Sequence, residues 1–537
     1  MGWWKQAVFY EIYIRSFQDS SDDGVGDLNG IARRLDYLAD LGVDAIWITP
    51  FYPSPQVDFG YDISNHEEVD RRFGTLADFD ALIAAAHARN IKVVIDIVLN
   101  HLSDRHPWFL DSRSSRSSAY RDWFVWRDGR APGEPPNNWE SAFGGPAWTF
   151  DERTGQWYYH FFYAAQPDLN WRHPMVEARM FETLAFWIGH GVDGFRLDAV
   201  NTLFEDPDLQ DNPQLSEPKV TLTGVRTQDF VNTRRLPELH DVLQRLRRYV
   251  DGRARDVVLI SEAYVDEIDE LVRFYGDNDD EMHLPFNFFL TQAPALHAAF
   301  IEQAVNDVEA AFGGRWPSLV FSNHDIDRAC DRYASGFDVD AVAKLLALLL
   351  LTLRGTPFIY YGEEIAMQTY PPERIEDVQD PVGRTFWPRY KGRDGARRPM
   401  QWSGDPGSGF TGGVPWLGFA PDAHTRTVAA QRDNPASVLN FYRRLLRVRR
   451  EREALRTGTY RALRSNPRVI AYARHASSET AVVILNPTAE PIAANVPPGE
   501  PLAARRWRVL LGTHRAPGEE IALRELRLNP FEALLLI

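Results

Sequence analysis

The sequence predicts an α/β fold: a (β/α)8 TIM barrel with an inserted subdomain after the third strand and a C-terminal antiparallel β-sandwich domain. Eight short β-branched runs alternate with helical stretches up to residue 361, the pattern of repeated parallel βα units. A segment rich in Trp, Pro, Gly and Asn interrupts this pattern after the third run, and the alternation stops after about residue 455. An open doubly wound sheet is the alternative, but no glycine-rich phosphate loop follows any run.

The predicted barrel strands are short apolar runs, each followed by a loop and then a helical stretch. They cover residues 8–14, 45–49, 92–98, 194–200, 257–263, 283–289, 318–322 and 358–361. The clearest helical stretches between them are 76–88, 176–188 and 236–250. Catalytic residues of such barrels lie where the strands end at the C-terminal face, so chemistry is expected just after each run.

Two parts of the chain depart from the barrel pattern. The third run is followed by a long stretch that includes PGEPPNNWESAFGGPAW, which is too long for a connecting loop and predicts a subdomain over the barrel mouth. Beyond residue 455, strand-like runs are separated by Pro and Gly turns, which predicts an antiparallel domain. The predicted organisation is a barrel over 1–100 and 171–455, an inserted subdomain over 101–170 and a C-terminal β domain over 456–537.

Composition and charge limit the classes of partner. The 537 residues are 44% hydrophobic and 25% charged, which is typical of a globular protein with a large core. The net charge of −16 argues against a nucleic-acid partner, because phosphate binding needs clustered Lys and Arg. The longest uncharged apolar stretch, 345–353, is about half the length of a membrane span, so no membrane partner is predicted.

The N-terminus and the cysteine count indicate a compartment. The opening segment MGWWKQAVFYEIYIRSF carries charges among its apolar positions and has no small-residue cleavage site, so no signal peptide is predicted. A single cysteine, Cys330, rules out an intramolecular disulfide and a cysteine-based zinc site. We therefore predict a cytoplasmic protein. For the oligomeric state, we predict a monomer or a homodimer.

Polar side chains cluster at the ends of four predicted strands. The motifs DIVLNH, GFRLDAV, LISEAY and FSNHD supply Asp96, Asn100, His101, Arg196, Asp198, Glu262, His324 and Asp325. A single acid at a strand end is more often a helix cap or an ion-pair partner. Several acids that converge on one face of a barrel instead indicate glycoside hydrolysis, which needs one ionised and one protonated carboxyl group across the scissile bond.

The sequence also suggests how the pKa values of two carboxyl groups are separated. Arg196 lies two residues before Asp198, hence on the same side of the strand, and its positive charge is expected to keep Asp198 ionised. Glu262 follows an apolar run, where partial desolvation favours the protonated acid. A structural ion pair between Arg196 and Asp96 is the other interpretation of this arginine, and both can hold together.

These motifs resemble the α-amylase superfamily, glycoside hydrolase family 13. The signature blocks of that family occur in order as DIVLNH, QPDLN, GFRLDAV, ISEAY, FSNHD and GTPFIYYGEE. Within the family, QPDLN, DFGYD and GRDGARRPMQW most resemble the α-glucosidase and oligo-1,6-glucosidase subgroup. The resemblance covers nearly the whole chain and implies a retaining mechanism with a covalent glucosyl-enzyme intermediate and a small oligosaccharide as substrate.

The same resemblance implies a role for individual residues. Asp198 would be the nucleophile, Glu262 the acid/base and Asp325 the carboxylate that stabilises the transition state. The residues implied to bind the glucosyl unit are Asp58, Tyr61, His101, Arg196, His324 and Arg397, with Tyr61 as the stacking face. Ala199, directly after the nucleophile, is smaller than the Val or Thr that such enzymes often carry, which leaves the preferred linkage open.

The segment DSSDDGVGD carries oxygen-bearing residues at alternate positions, which suits Ca²⁺ or Mg²⁺. The predicted ligands are Asp19, Ser21, Asp23, Asp27 and the carbonyl of Val25. An EF-hand does not fit, because Gly30 stands where its twelfth-position carboxylate is needed. The resemblance implies a structural cation here, with Ser21 in place of the usual Asn; a metal-free acidic turn is the alternative. No organic cofactor is predicted.

Three functions remain open. The leading one is an exo-acting α-glucosidase that releases α-glucose from maltose, maltooligosaccharides, isomaltose-type sugars or sucrose, with transglucosylation when a sugar hydroxyl replaces water. The second is an isomerase or transferase such as trehalose synthase or sucrose isomerase, which would use the same carboxylates. The third, a non-catalytic partner of a transporter, is disfavoured because such chains lose catalytic carboxylates and carry a membrane span.

Overall fold

The computed structural model describes residues 2–221, 223–293, 295–334 and 336–537. Its largest sheet has eight parallel strands, ordered sixth to first along the chain and then eighth and seventh. These strands are Phe9–Ile12, Ala45–Ile48, Lys92–Val98, Gly194–Asp198, Val258–Ser261, Leu284–Pro285, Ser318–Val320 and Thr356–Tyr360. Each overlaps one of the eight predicted runs, so the prediction of a TIM barrel is confirmed.

One serine closes the barrel between the sixth and seventh strands. Among the described residues, no strand ladder joins Leu284–Pro285 to Ser318–Val320. Instead, the buried hydroxyl of Ser318 donates a 2.8 Å hydrogen bond to the carbonyl of Pro285 and accepts a 2.9 Å bond from the amide of Asn287. A side chain thus replaces the missing ladder bonds at this seam.

Helices cover the outside of the barrel, and bulky side chains fill its inside. The main helices are Leu28–Leu41, Leu76–His87, Pro174–Gly189, Glu238–Asp251, Ala298–Phe312, Val339–Thr352 and Val438–Glu451. Shorter helices are Ile14–Phe17, Pro107–Ser112, Ile268–Arg273, Ala329–Ala334, Pro381–Phe386, Val428–Arg432 and Glu453–Thr457. Inside the barrel, Phe9, Trp47, Phe286 and Phe358 belong to one buried cluster, so the barrel is a packed core and not a channel. Within the described ranges, no helix is long and apolar enough to cross a membrane.

The long segment after the third strand contains a small antiparallel sheet. Its strands are Trp126–Arg127, Gln156–Tyr159 and Trp148–Asp151, with Gln156–Tyr159 in the middle. An aromatic core that includes Trp139, Trp148 and Phe161 stabilises it, and Phe230 from the loop after the fourth barrel strand joins this core. The inserted segment is therefore packed against a neighbouring barrel loop.

A second feature above the barrel, a β-hairpin formed by Gln214–Thr221 and Gly224–Gln228, was not predicted from the sequence. Its first strand is almost entirely exposed. Strand prediction depends on alternating apolar residues, and an exposed polar hairpin lacks that pattern. This hairpin forms part of the loop that connects the fourth strand to its helix.

The C-terminal part is antiparallel, as predicted. Its six-stranded sheet runs in the order Thr459–Ala462, Ile470–His475, Thr480–Leu485, Ala533–Leu536, Arg506–Gly512 and Glu520–Ala522, and Ile492–Ala493 pairs with Arg527–Leu528 in a second sheet. The two sheets share a buried apolar cluster. The predicted boundary at 455/456 falls inside the helix Glu453–Thr457, and the first strand of this domain starts at Thr459.

The seam at Ser318 provides a test of barrel closure. Replacing Ser318 by Ala removes both hydrogen bonds and leaves a buried N–H and a buried C=O unpaired, so we expect Ser318→Ala to lower the melting temperature by about 2–4 °C. Ser114→Ala, at an exposed serine of a surface loop, is the matched control and should change the melting temperature by less than about 1 °C. Equal melting temperatures for both variants would show that this seam does not depend on the hydroxyl.

Candidate active site

A cavity of about 510 Å³ opens at the C-terminal ends of the barrel strands. Three elements form its walls: the strand ends, the inserted segment through Phe143, Phe161 and Phe162, and the hairpin through Val220 and Val225. Five carboxylates line it: Asp58, Asp198, Glu262, Asp266 and Asp325. The structure thus brings together the three acids that the sequence predicts to be catalytic.

Arg196 on the fourth strand holds the acids of three adjacent strands. Its Nη1 lies 2.8 Å from Oδ1 of Asp96 and 2.6 Å from Oδ1 of Asp198, and its Nη2 lies 2.6 Å from Oε2 of Glu262. The register of the strands sets Asp96 directly beside Arg196, and Arg196 is fully buried. The predicted Arg196–Asp96 pair and the predicted proximity of Arg196 to Asp198 are therefore both present.

Burial and this arginine act in opposite directions on the pKa values of the acids. Burial raises the pKa of Glu262 to about 8 although Arg196 lowers it, so Glu262 holds a proton at neutral pH. Burial also raises the pKa of Asp198, and the 2.6 Å hydrogen bond from Arg196 favours its ionised form. Within the described part of the chain, Oε1 of Glu262 has no hydrogen-bond partner. A protonated Glu262 can therefore donate to an oxygen atom that enters the cavity.

Two arginines hold the third carboxylate. Asp325 Oδ1 lies 2.7 Å from Nη2 of Arg397 and 3.2 Å from Nη1 of Arg393. Burial opposes the ionisation of Asp325, but His324 and these two arginines outweigh it and hold the pKa of Asp325 below its ordinary value. Asp325 is thus ionised under the conditions in which Glu262 is protonated, so it can stabilise positive charge while Glu262 donates a proton.

His324 and Tyr61 form a stacked pair beside these acids. Their rings are parallel within 7°, with centroids 5.5 Å apart, and Tyr61 Oη lies 2.7 Å from Nε2 of His324 and 3.0 Å from Oδ2 of Asp96. On its other side, Nδ1 of His324 lies 2.6 Å from Oε1 of Glu11. Burial holds the pKa of His324 well below its ordinary value, so the ring is neutral. Glu11 thereby fixes which ring nitrogen carries the proton.

The inserted segment supplies a further contact through Gln166 of the QPDLN motif. Its Nε2 lies 3.2 Å from Oδ2 of Asp58 and 3.0 Å from Nε2 of His101. Burial raises the pKa of Asp58 to about 6, although the ion pair with Arg393 at 2.8 Å lowers it. Burial also lowers the pKa of His101 to about 3, so His101 is neutral. These residues form a polar cluster at the base of the cavity.

Not all residues that the sequence predicts to bind substrate reach the cavity wall. Asp58, Tyr61 and His101 line it. Arg196, His324 and Arg397 are buried beneath the wall, where they contact the carboxylates. The sequence analysis missed Arg393, which lines the cavity and bridges Asp58 and Asp325. Arg393 and Arg397 both belong to the motif GRDGARRPMQW, and the motif alone does not indicate which of the two faces the cavity.

Ala199 shapes the cavity beside Asp198. It adopts a left-handed conformation with φ 43° and ψ 40°, and it connects the fourth strand to the short turn Val200–Thr202. Thr202 Oγ1 donates a 2.7 Å hydrogen bond to the carbonyl of Ala199 and so stabilises this turn. Ala199 itself lines the cavity, where its methyl group leaves space next to Asp198.

The predicted cation ligands lie in a turn after Ile14–Phe17. Asp19 accepts hydrogen bonds from the amides of Ser21, Asp22 and Gly24 and from the hydroxyl of Thr411. Asp27 is the N-cap of Leu28–Leu41 and accepts from Gly30. Among the residues described, no three His, Cys, Asp or Glu side chains converge on a common point. As positioned, Asp19 and Asp27 accept hydrogen bonds that stabilise the turn and the helix cap, and the predicted Ca²⁺ or Mg²⁺ stays a prediction.

The family comparison agrees with this geometry. Residues 11–458 match the model described as "Alpha amylase, catalytic domain", and residues 460–535 match "Maltogenic Amylase, C-terminal domain". A probable alpha-glucosidase of Rhizobium meliloti is 42% identical, over 92% of this chain and 91% of that protein. An oligo-1,6-glucosidase of Parageobacillus thermoglucosidasius is 36% identical, over 99% of this chain and 98% of that protein.

Solved structures give the same result for the whole fold. An alpha-glucosyl transfer enzyme is 39% identical with a TM-score of 0.91, and covers 100% of this chain and 99% of its own. The trehalulose synthase of Pseudomonas mesoacidophila is 36% identical with a TM-score of 0.89, with the same coverage. The resemblance inferred from the sequence motifs is therefore confirmed, and the chain belongs to the alpha-amylase family of glycoside hydrolases, glycoside hydrolase family 13.

Proposed function

We propose that this glycoside hydrolase is a retaining, exo-acting α-glucosidase that releases α-glucose from short α-glucosides. The observation that carries the proposal is the single guanidinium group of Arg196, whose two terminal nitrogens each lie 2.6 Å from a carboxyl oxygen, one of Asp198 and one of Glu262. Two carboxyl groups that contact one guanidinium lie near each other, and a short separation that leaves no room for water between nucleophile and substrate favours retention over inversion.

The mechanism follows from the protonation states. Ionised Asp198 attacks the anomeric carbon while protonated Glu262 donates its proton to the oxygen of the leaving group, which gives a β-glucosyl ester of Asp198. Glu262, now ionised, takes a proton from water as the water attacks the same carbon, and α-glucose leaves with Asp198 regenerated. Asp325, ionised through Arg393 and Arg397, stabilises the positive charge that develops on the sugar ring.

The base of the cavity supports exo-action. Asp58 and Arg393 form a buried ion pair there, and Gln166 joins Asp58 to His101. Such a wall of paired charges would bind the hydroxyl groups of a terminal glucosyl unit and would stop a sugar chain from continuing past it. The substrate would therefore enter with its non-reducing end first.

Hydrolysis and glucosyl transfer share these two steps and differ in the acceptor. Solved relatives described as an alpha-glucosyl transfer enzyme and as trehalulose synthase have the same fold, which keeps transfer and sucrose isomerisation as the second candidate. The inserted segment and the hairpin partly enclose the cavity, and such enclosure slows the exchange of a leaving sugar for water. Product analysis separates the two functions.

The cytoplasmic location and the monomeric or dimeric state stay predictions.

The first prediction concerns products and the nucleophile. With maltose, isomaltose, sucrose, trehalose and soluble starch as substrates, we expect glucose from short substrates and little cleavage of starch. The initial product should be the α-anomer, as measured by NMR. Asp198→Asn should lower kcat by at least about 10³-fold, because it removes the attacking group. Initial β-glucose would contradict retention, rapid fall in starch viscosity would contradict exo-action, and trehalulose or isomaltulose as the main sucrose product would favour the isomerase.

The second prediction concerns pH. Because Glu262 must be protonated to act and burial raises its pKa to about 8, kcat/KM should fall as pH rises through about 8. The measurement is kcat/KM for 4-nitrophenyl α-glucoside from pH 4 to 10. In Glu262→Gln, the residual activity on this substrate should lose the fall near pH 8, whereas the exposed control Glu490→Gln should keep it. An unchanged fall in Glu262→Gln would assign it to another group.

The third prediction concerns the N-terminal turn, where the predicted Ca²⁺ or Mg²⁺ remains a proposal. Ion binding would require the oxygens of Asp19, Asp23 and Asp27 to turn towards one point, at the cost of some of their present hydrogen bonds. If an ion binds, adding 5 mM CaCl₂ or MgCl₂ to EDTA-treated protein should raise the melting temperature by about 2 °C or more. Asp23→Asn should reduce that shift. An unchanged melting temperature with either ion would show that hydrogen bonds alone stabilise the turn.

A further inference from the structure

One arginine in the cavity wall has no partner for its charge. Arg234 lines the cavity, and its guanidinium carbon lies 4.9 Å from the ring centroid of Phe161 and 4.8 Å from that of Phe230. Among the residues that the structure describes, none accepts a hydrogen bond from Arg234, and no carboxylate lies within 4 Å of it; its Nε is buried without a partner. Two aromatic rings thus hold a positive charge that no acid pairs with directly, although the more distant Asp266 raises the pKa of Arg234.

Unlike Arg234, the neighbouring arginines form ion pairs. Arg226 pairs with Asp229 and Asp266, and Arg235 pairs with Glu270 at 2.6 Å. Burial and the nearby Arg226 lower the pKa of Arg234 to about 10, so it is still protonated at neutral pH. In a chain with 75 acidic and 59 basic residues, an unpaired cation in a half-buried wall is a costly arrangement that a bound anion would relieve.

Arg234 lies on the leaving-group side of the cavity. The amide of its neighbour Arg235 donates a 2.8 Å hydrogen bond to the carbonyl of Asn201, and Asn201 Nδ2 donates to the carbonyl of Tyr264 at 3.2 Å. Tyr264 is two residues beyond Glu262, the group that donates a proton to the leaving group. The segment that carries Arg234 is therefore fixed next to the loop of the acid/base residue.

The surroundings add a second cation and an apolar lining. Lys219 on the hairpin is exposed, lines the cavity, and has no ion-pair partner in the described part of the chain. Val220, Val225 and Phe288 line the same cavity with apolar groups. The acids of the cavity form ion pairs with other arginines: Asp198 with Arg196, Asp325 with Arg393 and Arg397, and Asp266 with Arg226 at 3.5 Å.

We propose that Arg234, with Lys219 at the rim, forms a leaving-group subsite for α-glucosides whose aglycone has an apolar body and a carboxylate. This inference rests on the α-glucosidase function proposed above and names its substrate class. A guanidinium group matches a carboxylate through two parallel hydrogen bonds, whereas a sugar hydroxyl would leave the charge uncompensated. The rings of Phe161 and Phe230 hold the guanidinium group in place, so little entropy is lost on binding.

The test compares two substrates that differ in charge and little in shape: 4-carboxyphenyl and 4-carbamoylphenyl α-glucoside. The readout is the ratio of their kcat/KM values, measured in wild type, Arg234→Gln and Arg234→Lys. The intrinsic reactivities of the two leaving groups cancel when ratios are compared between variants. We expect Arg234→Gln to lower the ratio by about tenfold, the equivalent of one charge-assisted hydrogen bond, and Arg234→Lys to restore part of it.

Controls separate this role from a packing role. Arg508→Gln removes the same charge from an exposed strand position of the C-terminal domain and should leave the ratio unchanged. At 0.5 M NaCl the wild-type preference for the charged substrate should shrink. If Arg234→Gln slows both substrates equally and the ratio stays constant, Arg234 merely packs between the rings and the proposal is overturned. An unaltered melting temperature of Arg234→Gln shows that the variant is folded.

A binding experiment keeps the inference distinct from the proposed function. In the Asp198→Asn background, calorimetry should show tighter binding of the 4-carboxyphenyl than of the 4-carbamoylphenyl glucoside, and the added Arg234→Gln change should remove the difference. Equal affinities in the Asp198→Asn protein would overturn the anionic subsite. If wild type fails to hydrolyse 4-nitrophenyl α-glucoside, the proposed function fails, while the affinity difference still decides the subsite.

Discussion

The active site depends on one buried ion cluster, in which the guanidinium group of Arg196 contacts Asp96, Asp198 and Glu262 on three adjacent strands. A buried charge is costly unless it is paired, and breaking such a cluster leaves another charge without a partner. Strand register provides the pairing, because Arg196 stands beside Asp96 on one side and Ile260, two residues before Glu262, on the other. The catalytic geometry is therefore a consequence of how the barrel strands are aligned.

A second consequence of this cluster is that the acids differ in protonation although all are buried. Arg196 is shared among three carboxyl groups, so it cannot keep all of them ionised against the cost of burial. Asp325 has two arginines of its own, Arg393 and Arg397, and its pKa is lowered. Glu262 has only a share of Arg196, and its pKa is raised to about 8. Burial raises the pKa of both acids, and the groups around each acid decide which of them can donate a proton.

The sequence predicts those parts of the molecule that repeat a local pattern. The barrel strands follow from β-branched runs, and Asp198, Glu262 and Asp325 follow from their places at strand ends. Glu11 was missed because it lies within the first strand, where the surrounding residues are apolar and the sequence shows no partner 313 positions away. The exposed hairpin was missed because it has no apolar alternation. Glu11 was thus missed because its contact is distant in sequence, and the hairpin because its strands lack the apolar pattern from which strands are predicted.

Arg393 and Arg397 show that sequence-based prediction is also limited for residues that are close together in the chain. The two arginines are four residues apart in one motif and both contact Asp325, but only Arg393 lines the cavity, while Nε of Arg397 donates to the backbone of His324. The composition and spacing of the motif do not distinguish the two arginines. Asp380 accepts hydrogen bonds from two nitrogens of Arg393, and this contact determines that Arg393 is the arginine that faces the cavity.

Ala199 is a second residue whose position depends on the path of a loop. Its backbone is left-handed, and its methyl group is the side chain that the loop places beside Asp198. The barrel thus fixes the reacting groups, and the loops fix the space that a leaving group can occupy.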